Sequence, residues 1–235
     1  MYQDEIVAGL EYEVLKNWSF GIKGIYKSLG RAVEDRCDIL DARVGLSDLL
    51  PAGALTTCAL VNIGEGGRLG VIKDPSNPQC VSKTNAAGTP TELLGNCASI
   101  TPSRIYRGLE LTATHRFSNN FYFLANYIYS KLEGNYSGNL SQTRETGQSD
   151  PNINADYDYV DLTPNAFGRL RNDRKHQFKA SGTYSFPFGL SAGFSGTFAT
   201  GRPMSVRGYA RPGYSQERYL VSRGTYGDLP STYKI

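Results

Sequence analysis

Long runs in which apolar and polar residues alternate are the feature that most constrains the fold of this chain. In residues 5–14 every even position carries an apolar or aromatic side chain, whereas three of the five odd positions are Glu. After a short connection at Lys16-Asn17, residues 18–27 repeat the pattern, with Trp18 on the apolar side and Lys23 on the polar side. Successive side chains of a β-strand point to opposite faces, so the pattern predicts a hairpin with one apolar and one charged face.

The same design occurs twice more along the chain. The predicted strand pairs and their turns are residues 109–117 and 121–130 around Ser118-Asn119-Asn120, and residues 177–186 and 190–199 around Pro187-Phe188-Gly189. The strand at 121–130 is apolar at both parities, so alternation does not assign its faces. A seventh strand is predicted to begin at Thr232-Tyr233-Lys234-Ile235. The chain is therefore predicted to be all-β and antiparallel.

Short turns and long connections lie at opposite ends of these hairpins. The predicted long loops, 31–103, 134–172 and 203–231, are rich in Gly, Pro, Asn, Ser and Tyr. Aromatic residues flank every short turn, namely Trp18, Phe20, Phe117, Phe121, Phe186 and Phe188. Short periplasmic turns, long extracellular loops and an interfacial band of aromatic rings are typical of bacterial outer-membrane proteins. The pattern predicts an incomplete, up-and-down transmembrane β-barrel of about six strands in a Gram-negative outer membrane.

A secreted, soluble β-sandwich is the alternative fold, because its strands also alternate and its loops also cluster at the ends. Sandwich strands usually have about 5–6 residues, whereas the alternation here extends over roughly 10–14, nearer the length of a membrane-spanning strand. The net charge of +3 comes without a basic block, which gives no case for a nucleic-acid partner. Strand length therefore favours the barrel.

Several segments carry a resemblance to a known family through their order and spacing. They are Arg107-Gly108-Leu109-Glu110-Leu111-Thr112, Tyr127-Ile128-Tyr129-Ser130-Lys131, Asp150-Pro151-Asn152 through Ala155-Asp156-Tyr157-Asp158, Gly168-Arg169-Leu170, Asn172-Asp173-Arg174-Lys175-His176-Gln177-Phe178-Lys179, Phe186-Pro187-Phe188-Gly189-Leu190 and Thr200-Gly201-Arg202-Pro203-Met204-Ser205. Together they resemble the barrel of Oar-like TonB-dependent outer-membrane transporters. The resemblance implies a large barrel, an N-terminal plug, a segment that contacts TonB, and import driven by the inner-membrane proton gradient.

Neither the plug nor the TonB-contacting segment of that family is recognisable in these residues. At about 39 residues for each predicted strand, a barrel of about 22 strands requires roughly 860 residues. We therefore expect residues 1–235 to form a partial barrel domain, without the plug and the remaining strands.

The resemblance implies a TonB-dependent receptor that takes up a solute by active transport after its loops capture the ligand. It implies no covalent chemistry, so we expect neither enzymatic activity nor a cofactor. The implied partners are outer-membrane lipid, the TonB complex through the missing N-terminal part, and an extracellular solute or macromolecule. A structural, adhesive or cell-contact signalling barrel is the alternative among membrane proteins.

Aromatic residues in the long loops are the candidates for ligand contact, because their rings offer large contact areas with polar tips. They are Tyr136, Tyr157, Tyr159, Phe167, Tyr209, Tyr214 and Tyr219. A second set of residues is predicted to face the lumen, where charges wet the interior of a barrel. These residues are Glu11, Glu13, Lys23, Lys27, Glu110, Arg116 and Lys179.

Four cysteines, Cys37, Cys58, Cys80 and Cys97, all lie in the first long loop. A long loop facing an oxidising exterior gains most from cross-linking, so we expect two disulfides. Pairing of Cys37 with Cys58 and of Cys80 with Cys97 is favoured, although the sequence leaves the other pairings open.

No constellation in the sequence predicts a catalytic or metal site. The alternating oxygen ligands of residues 150–161 resemble a calcium loop but have Ala155 where a calcium loop requires Gly, which favours a solvated acidic loop. Only His115 and His176 are present, and Asp173-x-x-His176 is expected to tie a loop to the rim.

Overall fold

The computed structural model describes residues 2–36, 59–63, 81–84, 90–94, 102–138, 164–209 and 217–235. These ranges contain no helix long and apolar enough to cross a membrane. Their regular structure consists of β-strands. The strands are β1 (Tyr2–Leu15), β2 (Trp18–Arg36), β3 (Ala59–Ile63), β4 (Val81–Thr84), β5 (Pro90–Leu94), β6 (Arg104–Ser118), β7 (Phe121–Gly134), β8 (Gly168–Arg169), β9 (His176–Ser185), β10 (Ser191–Ala199), β11 (Arg207–Tyr209), β12 (Glu217–Tyr219) and β13 (Thr232–Lys234).

The main sheet has the order β1-β2-β6-β7-β9-β10-β13, and each strand is antiparallel to its neighbours. The short strand β3 pairs with the end of β2, and β8 pairs with the end of β7. This order confirms the predicted up-and-down fold, its three hairpins and its seventh strand. The described sheet is open, with β1 and β13 at its edges. Strand β2 continues to Arg36, beyond the loop boundary expected at residue 31.

Asparagine forms the tight turns of the first two hairpins. Asn17 has a φ of 68°, and Asn119 and Asn120 have φ values of 51° and 65°. Asn tolerates this left-handed backbone better than most residues, and such turns match the twist of the strands that they join. In the third hairpin Gly189 occupies the left-handed position, with a φ of 88°.

Pairing across the sheet assigns the faces of β7, which alternation in the sequence leaves open. Tyr127 pairs with Leu111 on one side and with Phe178 on the other, so it lies on the apolar face. Asn126 pairs with Lys179 and lies on the polar face. The polar face of β7 therefore also carries Leu124 and Ile128, which is why its alternation is obscured.

The apolar face of the sheet is uncovered in the described part of the chain. Ile6, Leu10 and Ile22 keep 66%, 70% and 49% of their surface exposed. The buried apolar side chains instead lie at the long-loop end of the sheet, in strand ends and loops, and are Ala32, Leu132, Tyr136, Ala166, Leu170 and Tyr219. A sandwich buries its apolar faces between two sheets. The described core is thus a rim that fixes the loops, and within the described ranges no second sheet packs on the apolar face.

Candidate functional site

A band of aromatic rings runs across the sheet at the short-turn end. Trp18 lies 4.6 Å from His115 and 6.2 Å from Phe123, between ring centroids, and Phe123 lies 6.4 Å from Phe194. Gly182 lies between Phe123 and Phe194 in register, and a Cβ atom there would be 2.7 Å from the Phe194 ring. The band joins β2, β6, β7 and β10, which is the arrangement expected of an interfacial girdle.

A second aromatic group lies on the same face at the opposite end of the apolar zone. The Tyr127 hydroxyl and His176 Nδ1 share a hydrogen bond of 2.7 Å, and the Tyr129 and His176 ring centroids are 5.3 Å apart. These two groups bound the membrane-spanning part of the sheet, which in β7 comprises residues 121–129.

The polar face of the sheet carries ion pairs that connect neighbouring strands. Glu110 accepts hydrogen bonds from Lys23 Nζ at 2.7 Å and from Asn126 Nδ2 at 2.6 Å. The pairs Lys27–Glu5 and Arg116–Glu13 have N–O distances of 3.0 and 3.9 Å.

Most of the predicted lumen charges are therefore paired with one another. Glu11 and Lys179 form no ion pair with a described residue, and Lys179 lies opposite Asn126 in register. This face is therefore a polar surface on which two ion pairs join predicted lumen charges, Lys23 with Glu110 and Arg116 with Glu13.

At the long-loop end, Asp173 joins a loop to the end of β7. Its Oδ1 accepts a hydrogen bond from the backbone amide of Leu132, and its Oδ2 accepts one from Arg169 Nε, each at 2.7 Å. Arg169 Nη1 also pairs with Asp228 Oδ1 at 2.8 Å. Burial lowers the pKa of Arg169, but the two carboxylates more than offset it and hold that pKa above its ordinary value. Asp173 thus has the loop-tying role expected of it.

Arg223 joins the second and third long loops. It is only 2% exposed, its Nη2 donates to Ser137 Oγ at 2.7 Å, and its guanidinium lies 5.0 Å from the centre of the Tyr219 ring. Gly168 lies so close that a Cβ atom there would be 2.0 Å from the Arg223 carbonyl oxygen. Backbone packing at this point therefore requires glycine.

A cleft of about 560 Å³ opens beside Arg223 in the third long loop. The backbone amides of Met204 and Leu229 donate to the carbonyl oxygens of Gly227 and Arg202, each at 2.8 Å. These hydrogen bonds hold the first and last segments of the loop against each other. The polar and aromatic residues that line the cleft include Arg171, Arg202, Arg207, Arg223, Tyr219 and Tyr226.

The predicted ligand-contacting aromatics differ in their surroundings. Tyr136 and Tyr219 are 1% and 2% exposed, so their rings are buried and do not project from the loops. Both rings fill the rim, and Tyr219 lies beneath the guanidinium groups of Arg207 and Arg223. Phe167 is 54% exposed, as expected of a loop aromatic.

Ligand contact by any member of this set remains a prediction. Tyr209 lies in β11, whereas Tyr157, Tyr159 and Tyr214 lie outside the described residues. Tyr226, which is not among the predicted residues, is 66% exposed at the cleft. Its Tyr-rich loop is the only sequence signal for it.

Other predicted sites lie outside the described ranges or prove structural. All four cysteines and the acidic run of residues 150–161 fall outside those ranges, so the disulfides remain a prediction. His115 Nδ1 contacts the Phe121 carbonyl oxygen and its Nε2 contacts Ser118 Oγ, both at 3.2 Å. These contacts fix the ring within the aromatic band.

Comparison with known proteins agrees with this geometry. Residues 69–205 match a family described as "Outer membrane beta barrel domain". The chain is 29% identical over 237 residues to the TonB-dependent transporter Oar of Myxococcus xanthus, an alignment that covers 97% of this chain and 18% of that protein. The chain thus spans less than a fifth of the length of this relative. No solved structure matches the chain.

Proposed function

The chain belongs to the outer membrane beta barrel domain family, and from this premise we propose that it forms part of the wall of a TonB-dependent transporter that takes up a solute actively. The observation that carries the proposal is the 29% identity to the transporter Oar along 97% of the chain. The alignment includes nearly every strand and loop of the chain. Similarity of this extent is stronger support for an architecture shared with Oar than a match to one short motif.

The two faces of the sheet support a wall between lipid and an aqueous interior. The outward face is apolar between two groups of aromatic rings. The opposite face is polar and holds the Lys23–Glu110 and Arg116–Glu13 pairs. A sheet with these faces keeps its charges out of the hydrocarbon, where a charge is energetically unfavourable, and gives the interior of the barrel a hydrated, polar surface.

In this proposal the long loops capture the solute and the TonB complex supplies energy through a part of the protein beyond this chain. The process consists of binding and conformational change, so the protein acts without covalent chemistry and without a cofactor. The rim formed by Asp173, Arg169 and Arg223 fixes the loops in position. A fixed capture surface reduces the ordering cost of binding.

The test compares solute uptake by Gram-negative cells that carry the full-length gene with uptake by a strain from which the gene is deleted. Both strains are incubated in one complex medium, and mass spectrometry measures the depletion of every detectable solute. We expect at least one solute to be depleted only by the gene-bearing cells, and that depletion to stop with a protonophore or after deletion of TonB.

Depletion that persists without TonB would overturn energy coupling. If the strains deplete the medium equally but differ in attachment to cells or matrix, the adhesive or cell-contact alternative replaces the transporter.

A further inference from the structure

The cleft in the third long loop concentrates positive charge. Four arginines, Arg171, Arg202, Arg207 and Arg223, line it, and its described lining includes no Asp or Glu. Guanidinium groups match the geometry of carboxylate and phosphate oxygens, with which they form paired hydrogen bonds.

Arg202 is the best placed of the four to contact a ligand. Its carbonyl oxygen accepts a hydrogen bond from the Leu229 amide at 2.8 Å, which fixes the base of the side chain. Its Nε is buried and has no hydrogen-bond partner among the described residues. Buried polar groups are nearly always satisfied, so this donor indicates an acceptor that enters the cleft from outside.

The rest of the lining is apolar or aromatic. Pro203, Met204, Val206, Leu229 and Tyr226 all contribute surface. The volume, about 560 Å³, is that of a pocket for an organic molecule and far exceeds what a single inorganic oxyanion fills.

The frame of the cleft is built before any ligand arrives. Arg223 is held by Ser137 Oγ and the Tyr219 ring, while Arg207 Nη2 donates to the Glu217 carbonyl oxygen at 3.3 Å. Gly201 packs so closely on Leu229 that a Cβ atom would lie 1.5 Å from its carbonyl oxygen. Preformed frames of this kind are typical of ligand sites.

We propose that this cleft binds a small organic anion, with the carboxylate or phosphate group at the arginines and an apolar body against Met204, Leu229 and Tyr226. As the capture site of a transporter the cleft depends on the proposed function, whereas its binding of an anion does not.

Calorimetry on the purified full-length protein in nonionic detergent tests the proposal. The probes are 2-naphthoate and 2-naphthamide, which have the same shape but differ in charge. We expect naphthoate to bind at least about tenfold more tightly, since only it offers an anionic partner to the guanidinium groups. Equal affinity for the two probes, or no binding of either, would overturn the proposal.

Substitutions at Arg202 locate the site. We expect Arg202→Gln to weaken naphthoate binding by about tenfold. Arg202→Lys should weaken it less, because lysine keeps the positive charge and loses only the paired donors of the guanidinium group. Arg218→Gln is the matched control, because Arg218 lies next to Tyr219 in β12, is not part of the cleft lining and is expected to point away from it. Unchanged naphthoate affinity in both Arg202 variants would also overturn the proposal.

Further probes distinguish the source of the anion. If inorganic phosphate competes for the cleft as well as naphthoate does, the ligand is not an organic anion and the proposal is overturned. If lipopolysaccharide is the only one of these compounds that competes, the cleft binds a lipid phosphate instead of a small organic anion. Energised uptake that persists in a protein that does not bind naphthoate would refute the anion site alone. Naphthoate binding without any energised uptake would refute the proposed function alone.

Discussion

The Asp173 carboxylate accepts a hydrogen bond from the backbone amide of Leu132 at 2.7 Å, across 41 residues of sequence, and Asp173 is only 2% exposed. The same carboxylate holds Arg169, which in turn reaches Asp228. One buried side chain therefore connects the end of β7 to two long loops. The arrangement of these loops at the end of the sheet depends on this connection.

We predict that Asp173→Ala destabilises the full-length protein by about 3 kcal/mol, because it leaves a buried amide and a guanidinium without their shared acceptor. Urea unfolding in detergent measures the change. Asp228→Asn is the control, since Asp228 is 48% exposed and exposed ion pairs contribute less than about 1 kcal/mol. Equal stability of the two variants would contradict the role assigned to Asp173.

We predict that stability at the rim depends on the ionisation of Glu133, four residues beyond Tyr129 and outside the membrane-spanning part of β7. The hydrogen bond from Lys131 lowers the pKa of Glu133 below its ordinary 4.5, and Arg107 contributes in the same direction while burial opposes both. A lowered carboxylate pKa adds stability above the ordinary value, and this stability is lost as pH falls through the lower, folded value.

Glu133→Gln should therefore be less stable than the original protein at neutral pH, and the difference should shrink as pH falls from about 5 to about 2. Unfolding free energies measured across that range provide the test. A difference that stays constant with pH would show that Glu133 acts through packing alone.

The hairpins and their turns were predictable because strand alternation and turn-forming Asn and Gly are local signals. The faces of β7 were not, since Leu124 and Ile128 occupy its polar face and only the pairing of Asn126 with Lys179 fixes the register. The burial of Tyr136 and Tyr219 could not be predicted either, because it depends on contacts such as Arg223 with Ser137, 86 residues apart. The arginine cleft could not be predicted either, because its lining residues are brought together from positions 171 to 229 only in the folded chain.

We predict that Lys23 and Glu110 are energetically coupled across the polar face by about 0.5–1 kcal/mol. Their N–O distance is 2.7 Å, and Glu110 is only 16% exposed. A double-mutant cycle with Lys23→Met and Glu110→Gln, followed by urea unfolding, measures the coupling. The same cycle on Arg116 and Glu13, which are 3.9 Å apart and more exposed, is expected to give a value near zero. Coupling of equal size in both cycles would argue against a specific Lys23–Glu110 interaction.

We predict that Trp18 lies at the membrane interface, because its ring belongs to the aromatic band at the short-turn end of the apolar face. The measurement is fluorescence quenching by brominated lipids in vesicles that hold the full-length protein. Subtracting the signal of Trp18→Phe isolates this residue from any other tryptophan. Bromine near the glycerol end of the acyl chains should quench Trp18 more than bromine near their methyl ends.

The control is Ile22→Trp in the Trp18→Phe background, since Ile22 lies on the same face midway between Trp18 and Tyr26. A tryptophan at position 22 should be quenched more by bromine near the methyl ends. Identical depth profiles for the two positions would place the apolar face in a different environment from the one proposed.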